Sequence, residues 1–211
     1  MRLALFGATG GTGNRVIEQA VAAGDKVTVL ARRPESLGEL ANQVDVVVGD
    51  ALDPAAVRRT VAGSEAVFSA LGIGMKRHAT TLYSQGTANI IAAMGEEGVR
   101  RLLVVSTTSL EIPSPRQFGE YVVAKYLLHP ILRKPYADMA LMETHVRESE
   151  VDWTIVRAAR LTDKPLTGTY RTAVNHKLTG CWSTSRSDVA HFLRTRVSDN
   201  TIFRSTVEMA N

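Results

Sequence analysis

The chain carries one cysteine, Cys181, among 211 residues. A single thiol cannot close an internal disulfide, so the chain is expected in a reducing compartment. Aromatic residues make up only 6% of it, and no run of Lys or Arg exceeds two. A nucleic-acid groove with stacking platforms is therefore not indicated. No apolar run approaches the roughly 20 residues of a membrane span. The N-terminus enters a strand-like run directly, without the basic-then-apolar layout of a signal peptide. His78, His129, His145, His176 and His191 are scattered without ligand spacing, so no metal is expected. These absences point to a soluble, cytoplasmic protein, monomeric or weakly dimeric, that meets small molecules rather than nucleic acid or membrane.

What is present is a 45% hydrophobic chain with a net charge of +4. Its length suits one domain over 1–211 with one core. Short β-branched runs at 2–7, 26–31, 44–50, 65–72, 101–109 and 151–158 alternate with helical patterns at 14–24, 53–63, about 79–97 and 138–149. Asp53 reads as an N-cap followed by Pro54 at the first helical position. Continuous apolar strands alternating with helices predict a Rossmann-like, doubly wound α/β domain with a mainly parallel sheet. The least regular stretch is 110–137, with Pro113, Pro115, Pro130 and Pro135.

"FGATGGTG" joins the first strand to the first helix. Gly7 permits the tight turn, Gly10 lets backbone approach a pyrophosphate, and Gly13 lets helix and strand pack closely. Gly11 completes the loop, and Thr9 and Thr12 offer hydroxyls. The helix N-terminus then presents N–H groups and positive potential to phosphates. A carboxylate at the end of the second strand would favour NAD. Arg32 and Arg33 stand there instead, and a guanidinium suits a 2′-phosphate. NADP(H) is expected over NAD(H). Asp50, with Ala51 beside it, is placed to accept from an adenine amino group. Leu71 and Gly72 end the fourth strand, where ligands collect, and Gly72 is expected to pass beneath the cofactor.

"FGATGGTG", "VTVLARR", "VVVGD", "SALG", "DWTIVRAARLTDKPLTGTY" and "SRSDVAHFL" occur in this order. Together they resemble the atypical short-chain dehydrogenase/reductase family of NAD(P)H-binding reductases, in particular its flavin reductase/biliverdin-IXβ reductase members. The resemblance covers nearly the whole chain. It implies NADPH as hydride donor and an open site in which a flavin is substrate rather than bound cofactor. Thr107 matches an active-site serine of those reductases, and Arg160 matches a histidine. Ala158 and Ala159 replace prolines beside the cofactor.

Tyr121 and Lys125 are spaced as in the Tyr-x-x-x-Lys pair of short-chain dehydrogenases, and on a helix they would share a face. A lysine beside a phenol makes it a usable acid. In family members that use the pair, its helix runs directly into the sixth strand. Glu143 marks the register there, and Met139 and Pro135 fill the slots of lysine and tyrosine. "YVVAK" sits one helical segment too early, which favours a substrate-side flap over a catalytic pair. Thr107 or Ser106 could hydrogen-bond the nicotinamide carboxamide or an acceptor atom, or simply end a strand and cap the next turn. Arg160, Lys76 and Arg77 are candidates for an acceptor's anion. The substrate side is expected mainly from 110–137 and 158–184. "SRSDVA" reads as an N-capped helix with Asp188 in its first turn. The leading function is NADPH-dependent reduction of a flavin, quinone, tetrapyrrole or similar conjugated acceptor. The alternatives are a biosynthetic ketoreductase or isomerase using Tyr121 and Lys125, and a non-catalytic NADP-sensing regulatory protein.

Overall fold

Strands that are apolar on both faces need cover on both sides, and the computed structural model supplies it. It describes residues 1–74, 77–112, 118–122, 125–126, 129–180 and 182–211, without the side chains at 118, 120 and 129. The strands are Arg2–Phe6 (β1), Lys26–Ala31 (β2), Asp45–Val48 (β3), Ala66–Ser69 (β4), Arg101–Thr107 (β5), Asp152–Ala158 (β6), Arg160–Thr162 (β7), Arg171–Val174 (β8), Ser183–Ser185 (β9) and Ser205–Ala210 (β10). The helices are Gly11–Ala22 (α1), Pro54–Val61 (α2), Leu82–Glu97 (α3), Phe118–Val122 (α4), His129–Glu148 (α5) and Arg186–Thr195 (α6).

Eight strands form one sheet in the order β3-β2-β1-β4-β5-β6-β10-β8, and β7 and β9 form a separate parallel ladder. Neighbours in the large sheet are parallel except the antiparallel pair β10 and β8. The sheet is mainly parallel, as expected. Side chains alternate between two cores. On β1, Leu3 and Leu5 join α1 and α6 on one face, while Ala4 and Phe6 join α2, α3 and α5 on the other. Phe6, Phe68, Leu102, Leu103 and Ile155 are fully buried, each worth about 1.5–3 kcal/mol.

Two helix boundaries differ from the sequence expectation, for one reason. α3 begins at Leu82 rather than near 79, and α5 begins at His129 rather than 138. Pro130 and Pro135 do not separate two segments. Pro130 falls in the first turn of α5, where its missing N–H is unneeded, and Pro135 lies within the helix. The longer α5 carries Asp138 to the start of α3. There the carboxylate accepts from the backbone N–H of Tyr83 (2.9 Å) and Ser84 (3.3 Å) and from the Ser84 hydroxyl. α3 is thus capped from another helix. Asp53 caps α2 as read, accepting from Ala55 N at 3.0 Å. β7, β8, β9 and β10 were not anticipated.

A charged network ties α5 to the sheet. Glu143 on α5 accepts from Arg157 Nε (2.9 Å) and Nη2 (2.7 Å), from Ser106 Oγ (2.7 Å) and from Arg147 Nη2 (2.6 Å). Its side chain is 2% exposed, and that of Arg157 is 9% exposed. Burial alone would raise the Glu143 carboxyl, but the hydrogen bonds from Arg157 and Ser106 outweigh it and hold the group below its ordinary value of 4.5. Such a group adds stability that is present above the unfolded value and lost as pH falls through the folded one. Glu143→Ala removes two hydrogen bonds from the buried Arg157 and leaves it Glu111, at 2.6 Å, so urea unfolding should show a loss of about 3 kcal/mol at neutral pH. The loss of stability of the parent protein below pH 4.5 should be shallower in this variant.

Candidate functional site

β1 is flanked by β2 on one side and β4 on the other, so the strand order reverses here and a crevice opens at the strands' carboxyl ends. The glycine turn enters it. Gly7 has a φ of 82°, and the Gly10 N–H donates to the Gly7 carbonyl at 3.1 Å. A β-carbon on Gly7 would stand 2.2 Å from the Ala70 carbonyl oxygen, and one on Gly13 would stand 2.2 Å from the Gly7 carbonyl oxygen. At Gly10 the nearest atom would be that same oxygen, at 3.3 Å. Packing therefore fixes Gly7 and Gly13, while Gly10 is exposed and a β-carbon there would meet only that one oxygen, closely. α1 starts with no side-chain cap and no acid in its first turn, so its positive end is not neutralised locally. Thr9 is exposed and Thr12 is almost wholly buried, which leaves Thr9 the more accessible of the two.

The next strand ends line up beside this turn. Arg32 and Arg33 follow β2 and are exposed. Arg32 Nη1 lies 3.6 Å from Asp50 Oδ2, and Asp50 Oδ1 accepts from Leu52 N at 2.9 Å. α3 braces the following segments. Asn89 Nδ2 donates to the Ala51 carbonyl at 2.9 Å. Gly86 is flat enough for Leu71 and Ala51 to close on it, since a β-carbon there would stand 3.1 Å from Leu71 Cδ1 and 3.4 Å from Ala51 Cβ. Gly72 is exposed at the end of this run.

At the end of β5 the two candidate hydroxyls part. Ser106 is buried and donates to Glu143, which makes it a core residue rather than a site residue. Thr107 is half-buried, and its Oγ1 accepts from Ser109 N at 3.2 Å, capping the turn Thr108–Leu110. Ala158, its partner across the ladder to β6, is buried. Tyr136 was not anticipated; α5 brings it beside Ser109. Burial pushes its phenol up, against a hydrogen bond with the Ser109 side chain, so the group stays protonated at neutral pH. Tyr83 is its neighbour. Its hydroxyl accepts from Ile73 N at 3.3 Å, and burial raises it as well. Tyr136 sits one residue past the Pro135 slot, while Tyr83 comes from α3.

Tyr121 and Lys125 do meet. Lys125 Nζ donates to Tyr121 Oη at 2.5 Å and lies 5.0 Å and 5.4 Å from the ring centres of Tyr121 and Tyr126. Lys125 is exposed, and the Tyr121 hydroxyl holds its ammonium above the ordinary value. Arg160 and Arg77 are exposed, and Lys76 lies outside the described residues. Trp182, 58% exposed, approaches α4, where a β-carbon on Gly119 would stand 3.8 Å from its ring. Lys177 pairs with Glu111 at 3.1 Å. A cavity of about 230 Å³ opens among Glu111, Arg147, Arg157, His176, Lys177 and Glu208. It lies toward β10, four strands along the sheet from the glycine turn, and its walls are the outer part of the Glu143 network.

A family model described as NAD(P)H-binding matches residues 7–200. A curated relative, (4-alkanoyl-5-oxo-2,5-dihydrofuran-3-yl)methyl phosphate reductase from Streptomyces griseus, is 32% identical over 72% of this chain. The match spans 45% of that relative's length. Among solved structures, a short-chain dehydrogenase/reductase from Veillonella parvula in complex with NADP is 18% identical with a TM-score of 0.79, over 100% of this chain and 94% of that one. An anaerobillin reductase from Escherichia coli is 23% identical with a TM-score of 0.79, over 100% of this chain and 97% of its own. At these identities the two structures speak for the fold.

The glycines separate packing from binding. Gly13→Ala drives a methyl group into the Gly7 carbonyl and should destabilise the fold by about 1–3 kcal/mol or more. Gly10→Val should leave the melting temperature close to that of the parent protein yet abolish nucleotide binding in a fluorescence titration. Unchanged binding by Gly10→Val would remove the phosphates from this turn.

Proposed function

We propose that this chain, which belongs to a family described as NAD(P)H-binding, is an NADPH-dependent reductase of conjugated acceptors, of the atypical short-chain dehydrogenase/reductase kind. The observation that carries this is the uncapped, acid-free start of α1 at the strand-order reversal, with Gly10 exposed beside it. Its backbone N–H groups suit a pyrophosphate. Arg32 and Arg33 hold the 2′-phosphate that distinguishes NADP from NAD, and Asp50 takes the adenine amino group. Leu71 and Gly72 run beneath the dinucleotide, and Ala158 lines it from the end of β6. Bound NADPH supplies the hydride, while the protein supplies orientation. Thr107, at the tip of β5, is the hydroxyl nearest to that role, and Tyr136 offers a phenol that stays protonated.

The acceptor site lies over these strand ends, between 110–137 and 158–184. Trp182 against α4 and Lys177 against Glu111 bring the two stretches together. Flavins, quinones and linear tetrapyrroles are the acceptor classes to try. The curated relative supports a conjugated acceptor, since its name describes an unsaturated, carbonyl-bearing ring that also carries a phosphate. Arg160 and Arg77 are exposed cations available to such an anion. A panel assay of NADPH oxidation with flavins, quinones, biliverdins and ketones tests the class. Oxidation by none of them, in a protein that binds NADPH, would favour a sensing role.

A second reading, a ketoreductase using Tyr121 and Lys125, is favoured by the 2.5 Å contact between the two side chains. The exposed position of Lys125 and the register, with Tyr121 on α4 while the expected slots Pro135 and Met139 lie on the following helix α5, favour a flap. Tyr121→Phe should leave flavin reduction within a few-fold of the parent, with any change in KM. A fall in kcat for a ketone by the roughly 10²–10⁴-fold of a lost general acid would promote the ketoreductase.

Cofactor choice rests on Arg32. Its contact with Asp50 is long and exposed, so it is free to turn to a phosphate. Arg32→Ala should weaken NADPH by about tenfold or more, as expected for losing a charged hydrogen-bond partner, and barely affect NADH. Equal losses for both nucleotides would withdraw the 2′-phosphate assignment.

A further inference from the structure

The start of α6 reaches the same place as the start of α1. β7 and β9 pair in parallel with Thr162 opposite Ser185, so the residues that follow them, Asp163 and Arg186, emerge side by side. Ser185 fixes both. Its Oγ accepts from Ser187 N at 3.2 Å to cap α6 and donates to the Lys164 carbonyl at 2.6 Å. Asn211 adds to the hold: its Oδ1 accepts from Ser185 N at 2.7 Å, and its Nδ2 donates to Asp188 Oδ2 at 2.8 Å. α6 is pinned to α1 by Gln19 Nε2 on the Ser187 carbonyl at 2.9 Å and, at the far end, by Arg194 Nε on Asp25 at 3.0 Å.

The Arg186 side chain then crosses the first residue of α1. A β-carbon on Gly11 would stand 2.8 Å from Arg186 Cδ and 2.9 Å from its Nε. Gly11 does not need a positive φ, so the room its missing side chain gives is room for this arginine. The Arg186 side chain is 26% exposed, and Nη1 donates to Asp163 Oδ1 at 2.7 Å. Of the five donors a guanidinium carries, that is the one engaged among the described residues. Asp163 is 77% exposed, so the pair is solvent-screened and weak.

We propose that Arg186 is a ligand of the dinucleotide's pyrophosphate, held ready over the α1 N-terminus by Asp163 and released from it when the phosphates arrive. This rests on the nucleotide site set out above and extends it to a residue near the other end of the chain. The guanidinium fork matches phosphate oxygens, and its charge adds to that of the uncapped helix end. Asp163 then opposes binding. It competes for the same donors and places a negative charge beside the phosphates.

The signs of two variants separate this from a structural brace. Dissociation constants for NADPH and NADH are measured by fluorescence titration, alongside melting temperatures without nucleotide. Arg186→Ala should weaken both nucleotides by the same factor, about tenfold or more, because both carry the pyrophosphate. Arg186→Lys should restore part of the loss. Asp163→Asn should tighten both by a few-fold. The assignment is overturned if Arg186→Ala binds both as well as the parent does, or if the loss is confined to NADPH, which would make Arg186 a 2′-phosphate residue. It is equally overturned if Asp163→Asn weakens binding, since the pair would then serve as a brace; this arm decides even if Arg186→Ala does not fold. A parent protein that binds neither nucleotide would bring down the functional proposal itself, and this assignment with it.

Discussion

The carbonyl of Gly7 is where the molecule is tightest. It accepts from Gly10 N, and it is the first atom a side chain at position 13 would strike. Gly7 itself lies against the Ala70 carbonyl at the end of β4. Three backbone segments thus meet at van der Waals distance, with no side chain between them. That contact sets the tilt of α1 against β1 and aims its open end into the crevice. α6 packs on α1, so the position of Arg186 follows from it, and the strand ends carrying Arg32 and Leu71 are referenced to the same point. A methyl group at 7 or 13 would move all of these together.

How much of this was legible in the sequence depends on how local each signal is. The glycine turn, the cap at Asp53 and the early parallel strands could be read because their causes lie within a few residues. β10 could not. Its residues Ser205, Thr206 and Glu208 break the apolar run, and Glu208 is accommodated by the Leu178 N–H at 2.9 Å and by Arg157, which faces it from β6. The start of α5 was hidden by Pro130 and Pro135, whose cost depends on where in the helix they fall. Ser106 and Thr107 look equivalent on paper, yet alternation along β5 sends one to Glu143 and the other to the strand's end. Arg186 read as part of a capped helix because the neighbour that gives it meaning, Gly11, is at the opposite end of the chain.

Carboxylates in this protein do two kinds of work. Glu143 and Asp138 are buried and organise helices, one against Arg157 and the other against the first N–H groups of α3. Near the nucleotide crevice the pattern changes. α1 has no acid in its first turn, and the nearby acids, Asp50 and Asp163, each face one arginine on the surface. Both pairs are exposed enough to part at small cost. The free protein thus keeps its cations oriented without committing them.

The proposed phosphate cradle draws on residues 7–13 and on 183–188, and the second group is held by Asn211 at the end of β10. β10 sits between β6 and β8, inside the sheet rather than at its rim. During synthesis, then, the N-terminal βα unit is made long before the partner that completes its cradle. Nucleotide that needs both groups is a ligand of the finished sheet only, and its binding energy is added to the stability of the whole cooperative unit. Excursions that undock β10 from β6 would open the cradle from behind, so amide hydrogens on β10 report on nucleotide occupancy from the far side of the sheet.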